Sequence, residues 1–538
     1  MAANKKSILD KIGFSVKNMD KSVDPFDDFY SYACGSWLKK HEIPSEKTRI
    51  GSFDELYEAN MLILKGIADK CANGKPDSHT ERLVGDFYSS YMNEKLAEKL
   101  KFTPIMPIMK RIRDMESTDE IPSLLGELAR IGVNAFFGSY VTSDIKNSEI
   151  YALYTWQGGT SLPDRDYYLN PKFAALRNEY VKHIKNVFTL YGSKPSYAMA
   201  DAKAVMDIET ELAKAQRTNV ELRDDRKNYN KMTIKQISSR YKKLDMEEYY
   251  KALGAKRISY AIIGQPEFFD KLEKMIPRLE LNKSKAYLTW LVLHTYSGLL
   301  HRAFYEEYFS FFGRKISGQK SPRPRWKRGV SLTDYMIGEA LGALYVKQNF
   351  DAKTKRKAEE LVANVRSSFA ERIKKIDWMS EQTKKKALDK LASINQKIGY
   401  PKKFRDYSKL LLKRDDLVGN FQRAYAFEFD RDISRIADLG GINIAFDALK
   451  MAQKTSGYKG KPIDGFTQEQ RFFIAWAQMY KGKARPEESK RLILIDPHSP
   501  EKFRGLIPAI THGSFQKEFK GLSKKRTIAT KHDNVNLW

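Results

Sequence analysis

The sequence predicts a mainly α protein built as two lobes, and three observations carry that expectation. The chain has 538 residues, more than one compact hydrophobic core accommodates. Apolar residues recur at helical spacing through most of residues 53–312 and again from Ser331 to about Lys397. One stretch, "SEIYALYTWQGGTSLPDRDYYL", breaks that period: it starts with aromatic and β-branched residues, as a strand does, and turns at Gly158, Gly159 and Pro163.

In chain order, the first segment "MAANKKSILDKIGFSVKNMDKS" lacks the apolar run of a signal peptide, and no later segment offers 18 consecutive uncharged apolar residues. Only Cys34 and Cys71 are present, which excludes a multi-disulfide framework and fits a reducing compartment. A cytoplasmic protein without a membrane span is expected. After the long helical region, "GRKISGQKSPRPRWKRG" (Gly313 to Gly329) is dense in Lys, Arg, Pro and Gly and reads as a linker. Helices resume, and "FQRAYAFEFDRDISRI" forms another after a loop. "DISRIADLGGINIAFDALK" continues as an amphipathic helix, with Ile433, Ile436, Ala437 and Gly440 on one face and Ser434 stacked beside Asp438 on another. In "GFTQEQRFFIAWAQMY", Gly465 and a Thr467 N-cap open a helix whose apolar positions include Phe472, Phe473 and Trp476. No internal repeat or low-complexity tract is visible.

The balance of 95 Lys+Arg against 67 Asp+Glu gives a net charge of +28. Such a charge suits nucleic acid, but the basic residues are interleaved with Glu and Asp along helices such as "TKRKAEELVANVRSSFAERIKK". That is the pattern of a solvated Lys-rich surface, and no specific nucleic-acid function is expected.

Several segments, in order, resemble the neprilysin family of zinc metalloendopeptidases: "DPFDDFYSYACGSWLKKHEIP", "SLPDRDYYL", "RPRWKR", "ALGALYV", "DWMSEQTKKKALDKLASINQKIGYP", "IADLGGINIAFDALK", "GFTQEQRFFIAWAQ" and "DPHSPEKFRGL". The resemblance covers about Asp24 to Trp538. It implies a mainly α fold with a smaller α/β part, in which a helical lobe and a thermolysin-like lobe assembled from both chain ends enclose a substrate chamber. On that frame residues 1–60 begin the thermolysin-like lobe, 61–320 form the helical lobe, and 321–538 return to the first. Peptides or small proteins are the implied partners, zinc the implied cofactor, and peptide-bond hydrolysis the implied activity.

Such an enzyme holds zinc through H-E-x-x-H, two His one helical turn apart with a Glu base between them, and through a later Glu. The His of this chain stand at 41, 79, 183, 294, 301, 498, 512 and 532, and no two are four apart. "HEIPS" begins like the motif, but Ser45 replaces its second His and Pro44 breaks a helix. By the resemblance, Asp438 falls on the family's Asp that orients a zinc-bound His. Ser434 occupies the place of the ligand Glu, and Arg435 that of the following Asn. The segments on either side join near Ile436, without the substrate strand and zinc helix that separate them in the family. His498 falls on the family's oxyanion-stabilising His and Arg504 on its substrate-binding Arg, roles that imidazole and guanidinium can fill. Without a metal these are vestiges. The expectation is therefore no metal ligand set, no bound zinc, an incomplete thermolysin-like lobe and a catalytically inactive chain. The alternatives are an active zinc metallopeptidase with unrecognised ligands and a non-enzymatic peptide-binding or scaffold protein. Phe26 and Val535 stand where secreted members carry Cys, so Cys34 is expected to be a buried thiol.

Overall fold

The computed structural model describes residues 14–432 except 256, 257, 395 and 402, and beyond them residues 465–467, 470, 471, 474, 475, 478, 482–485, 487 and 519. Helix α1 (Phe29–Lys40) opens at Asp28, whose carboxylate accepts from the Ser31 N–H at 3.0 Å. Strand β1 (Arg49–Gly51) leads directly into α2 (Ser52–Asn73), and α3 (His79–Met92) follows with Ser78 as its N-cap. Where α3 lies on α2, Gly85 lets the two backbones touch, because a Cβ there would run into the Cys71 carbonyl. Cys34 is buried, as expected; Cys71 is buried too, and burial raises its thiol to about 11.

The strand character read in "SEIYALYTW" belongs to β3 (Asn147–Gln157), which pairs antiparallel with β2 (Phe137–Asp144). The reading of residues 53–312 as almost continuous helix missed β2 and two more strands, β4 (Asn230–Thr233) and β5 (Tyr260–Ile263). The sheet order is β2-β3-β5-β4, with β3 and β5 parallel. β4 and β5, at four residues each, are too short to display a period of two against flanking helices. Of the turn predicted at Gly158, Gly159 and Pro163, the bend falls at residues 162–164, around Pro163, while 158–160 leave β3 as irregular chain. Gly159 has φ +81°, and a Cβ there would approach Phe136 Cα to 2.6 Å, so only glycine fits.

Helices α4 (Ala174–Tyr191), α5 (Pro195–Ala215), α6 (Leu281–Tyr296) and α7 (Arg302–Tyr308) complete the first helical region. The basic stretch Gly313–Gly329 is not a free linker. Its first residues end a π-helical segment (Phe309–Ile316), and its last open α8 (Arg325–Asn349), a helix kinked at Ile337. Pro322 and Pro324 confine the break to a few residues, since neither continues a helix and Pro324 stands just before its first turn. That break is tied down: the N–H groups of Lys320 and Ser321 donate to the Ser45 carbonyl at 2.9 Å, and the Gln319 amide donates to the Glu46 carbonyl at 2.7 Å. Helices α9 (Ala352–Lys375), α10 (Glu381–Ser393) and α11 (Leu417–Asp432) follow.

The larger hydrophobic core runs from Met61 to Ala424 and includes Trp290, Tyr180, Tyr287 and Phe268, all fully buried. A second, smaller core joins the two ends of the chain: Phe29, Tyr30 and Cys34 of α1 pack with Phe466, Ile474 and Phe519. Phe29 meets Phe519 edge to face, with centroids 4.9 Å apart. Polar ties reinforce that union. β1 pairs antiparallel with β6 (Gly482–Ala484). The buried Gln478 amide donates to the carbonyls of Ser15 and Ala33 and accepts from the Ser15 N–H, and Arg485 donates to the carbonyls of Ile43, Pro44 and Lys47. The predicted Thr467 N-cap is present, with Thr467 and Gln470 bonded reciprocally at 2.9 and 3.1 Å. No helix among the described residues is long and apolar enough to cross a membrane.

Candidate functional site

The residues that the sequence singles out at the expected zinc region, Ser434, Arg435 and Asp438, lie outside the described residues, as do His498 and Arg504. The histidines that are described do not form a zinc donor set. His41 lies just beyond the end of α1, where its ring stacks on Trp37 at 4.6 Å and its Nδ1 is 2.9 Å from the Trp37 carbonyl oxygen, so "HEIPS" is not helical. His79 bonds the Tyr407 carbonyl at 3.1 Å, and His183 meets Glu307 at 2.9 Å. Among the described residues, no three His, Cys, Asp or Glu side chains are grouped to hold a metal. Zinc therefore has no fitting ligand set in this part of the chain.

What the described residues do assemble is a cleft where α6, α7 and the start of α8 meet. A cavity of about 530 Å³ is lined by His294, Tyr305, Tyr308, Arg323, Arg328 and Tyr335, among others. A neighbouring cavity of about 320 Å³ shares Tyr305, Tyr308, Arg323 and Arg328 with it. The guanidinium of Arg328 lies 3.7 Å from the centre of the Tyr305 ring and donates to the Tyr91 hydroxyl at 3.2 Å. Arg323 donates to the Tyr57 hydroxyl at 3.0 Å and to Ser331 Oγ at 3.2 Å. Burial raises the Tyr91 and Tyr305 hydroxyls above their ordinary value, and Arg328 works against that shift in both. Tyr335, with 71% of its surface exposed, stands at the mouth.

On the wall of the cleft, His294 is held neutral. Burial, helped by the nearby His183 ring, pushes it down to about 3, and its Nδ1 meets no partner among the described residues. Glu209, on α5 and fully buried, was not marked by any sequence pattern. It accepts from Ser161 Oγ at 2.6 Å, from the Ser161 N–H at 3.2 Å, and from the Tyr168 and Tyr180 hydroxyls at 2.8 Å. These bonds fix the "SLPDRDYYL" segment, which supplies Ser161 and Tyr168. The acid stands 41 residues beyond Tyr168 in an ordinary helical sequence, so its partners are found only through the fold. Arg323 and Arg328 did carry a signal, the dense basic stretch.

Two profiles of peptidase family M13 match the chain, over residues 25–401 and 431–535. Endothelin-converting enzyme 1 of Cavia porcellus is 28% identical over 407 residues, 73% of this chain and 54% of that protein. Neprilysin-3 of Drosophila melanogaster is 28% identical over 409 residues, 72% of this chain and 52% of that protein. The chain thus spans about half the length of the curated relatives it matches. Among solved structures, the zinc metalloprotease Zmp1 of Mycobacterium tuberculosis in complex with an inhibitor is similar with a TM-score of 0.87 and 26% identity, covering 94% of this chain and 96% of that one. PepO from Lactobacillus rhamnosis has a TM-score of 0.79 at 17% identity, covering 94% and 98%, a likeness of fold alone. The resemblance read from the ordered motifs is the one these matches support, and the chain belongs to peptidase family M13, a family of zinc metallopeptidases.

Proposed function

We propose that this chain is a non-catalytic member of the M13 metallopeptidases that binds peptides without hydrolysing them. One observation carries the reading: eight histidines and no pair four residues apart, so the i, i+4 imidazoles that hold zinc beside a Glu base cannot be formed. Ser434 in the place of the ligand Glu agrees with it. Asp438, His498 and Arg504 are then inherited positions without a metal-activated nucleophile to serve, and the retained capacity is recognition of peptides or small proteins. A cytoplasmic location fits two buried thiols, and the Lys-rich helical surface serves solubility rather than nucleic acid. A second reading, an active zinc peptidase with other ligands, draws on the likeness to an inhibitor-bound zinc metalloprotease.

Zinc stoichiometry separates the two. The purified 538-residue chain is dialysed against a weak chelator and its metal measured by elemental analysis. Near-zero zinc is the expected result. One zinc retained per chain overturns the proposal and restores the peptidase.

A further inference from the structure

We propose that the cleft at the start of α8 is an anion-recognition site that takes a carboxylate side chain of an acidic peptide, with Arg323 and Arg328 as the receiving groups. It deepens the peptide-binding reading above and rests on it. The argument begins with the charge balance of neighbouring cations. Lys327 is paired with Glu46 and Glu58, and Arg325 has Glu94 at 3.7 Å. Arg323 and Arg328 pair with no carboxylate among the described residues; their bonds go to the hydroxyls of Tyr57, Tyr91 and Ser331 and to the Arg323 carbonyl. Both side chains are only partly exposed, and both line the same two cavities. Two neighbouring guanidiniums half withdrawn from water without a counter-charge are unfavourable unless an anion joins them.

The donors for such an anion are present. Each guanidinium has five N–H groups, and the observed bonds use two on each. A planar carboxylate matches this fork. The walls suit a peptide rather than a bare ion: the rings of Tyr305, Tyr308 and Tyr335 offer apolar surface to the chain that carries the carboxylate. About 530 Å³ admits one or two side chains, not a folded domain. The net charge of +28 draws an acidic chain towards the protein from a distance. Inorganic phosphate shares the anion chemistry, and the test separates it from a peptide.

The test is fluorescence anisotropy with a labelled peptide of alternating Glu and Ala and its Gln-for-Glu counterpart, on the full chain and on Arg323→Gln and Arg328→Lys. Circular dichroism melting confirms that each variant is folded. The Glu peptide is expected to bind about tenfold or more tighter than the Gln peptide, a difference that Arg323→Gln largely removes while leaving the Gln peptide unaffected. Arg328→Lys keeps the charge but loses the planar fork and the Tyr305 stack, and is expected to weaken the Glu peptide severalfold. Equal binding of both peptides, or wild-type binding of the Glu peptide by both variants, overturns the anion site and leaves peptide binding standing. Binding of neither peptide overturns both readings. Displacement of the Glu peptide by inorganic phosphate at comparable concentration marks a small-anion site and overturns the peptide as occupant.

Discussion

Glu209→Gln tests whether the buried acid beneath the "SLPDRDYYL" segment is held protonated by its surroundings. Burial raises its carboxyl from the ordinary 4.5 to about 7, although hydrogen bonds from Ser161, Tyr168 and Tyr180 favour the charged form. The folded chain therefore binds a proton that the unfolded chain has released at every pH between those values. Below 4.5 both states are protonated and the contribution is complete. It is lost progressively as pH rises towards 7, where both states become ionised. At about 1.4 kcal/mol per pH unit, the interval corresponds to roughly 3 kcal/mol. Glutamine fills nearly the same volume and does not titrate. Urea unfolding at pH values from 4.5 to 8, followed by tryptophan emission, should show the wild type losing up to about 3 kcal/mol relative to the variant across that window. Trp290 reports locally, because its indole donates to Ser161 Oγ at 3.0 Å. Parallel curves for wild type and Glu209→Gln would refute the reasoning.

Two further substitutions test how the helices and the N-terminal segment are held. Lys327→Met leaves Glu46 and Glu58 without their shared cation in a mostly buried site and should cost about 2 kcal/mol, with faster hydrogen exchange around residues 45–58; unchanged melting and exchange would mean that Lys47, 2.9 Å from Glu58, suffices alone. Gly85→Ala places a methyl group against the Cys71 backbone and should destabilise the α2–α3 contact by about 1–3 kcal/mol in urea unfolding; an unchanged midpoint would mean that the helices separate freely.

The helical elements were legible because their signals are local. A Thr467 cap with Gln470 three residues later, or apolar residues recurring along residues 331–397, can be read without knowing what they touch. The sheet was not. β5 pairs with β3 across more than a hundred residues, and its four residues "YAII" look like part of any buried segment. The second core was legible only through the motif order. Phe29 and Phe519 are nearly five hundred residues apart, and no property of either sequence neighbourhood declares the other. Closing so large a loop is costly for a free chain, and the larger helical core, which takes its residues from Met61 to Ala424, gathers most of the intervening chain into one packed body. The small core is therefore expected to depend on the large one, not the reverse.

The cations of the basic stretch show where reading from sequence stops. Arg325, Lys327 and Arg328 lie within four consecutive residues, and composition assigns all three to a solvated run. Helix phase separates them. Arg325 and Arg328 are three apart and share a face, so both guanidiniums reach the ring of Tyr91, at 5.0 and 6.0 Å from its centre. Lys327 is turned about 100° from Arg328 and meets the two glutamates of the N-terminal segment instead. The same charge thus has three uses: Lys327 ties the N-terminal segment to α8, Arg325 anchors α8 on the Tyr91 carbonyl, and Arg328, with Arg323, faces the cleft without an acid among the described residues. Charge density gave the stretch its prominence, but only the start of α8 just after Pro324 decides which cation is structural and which is left for a ligand.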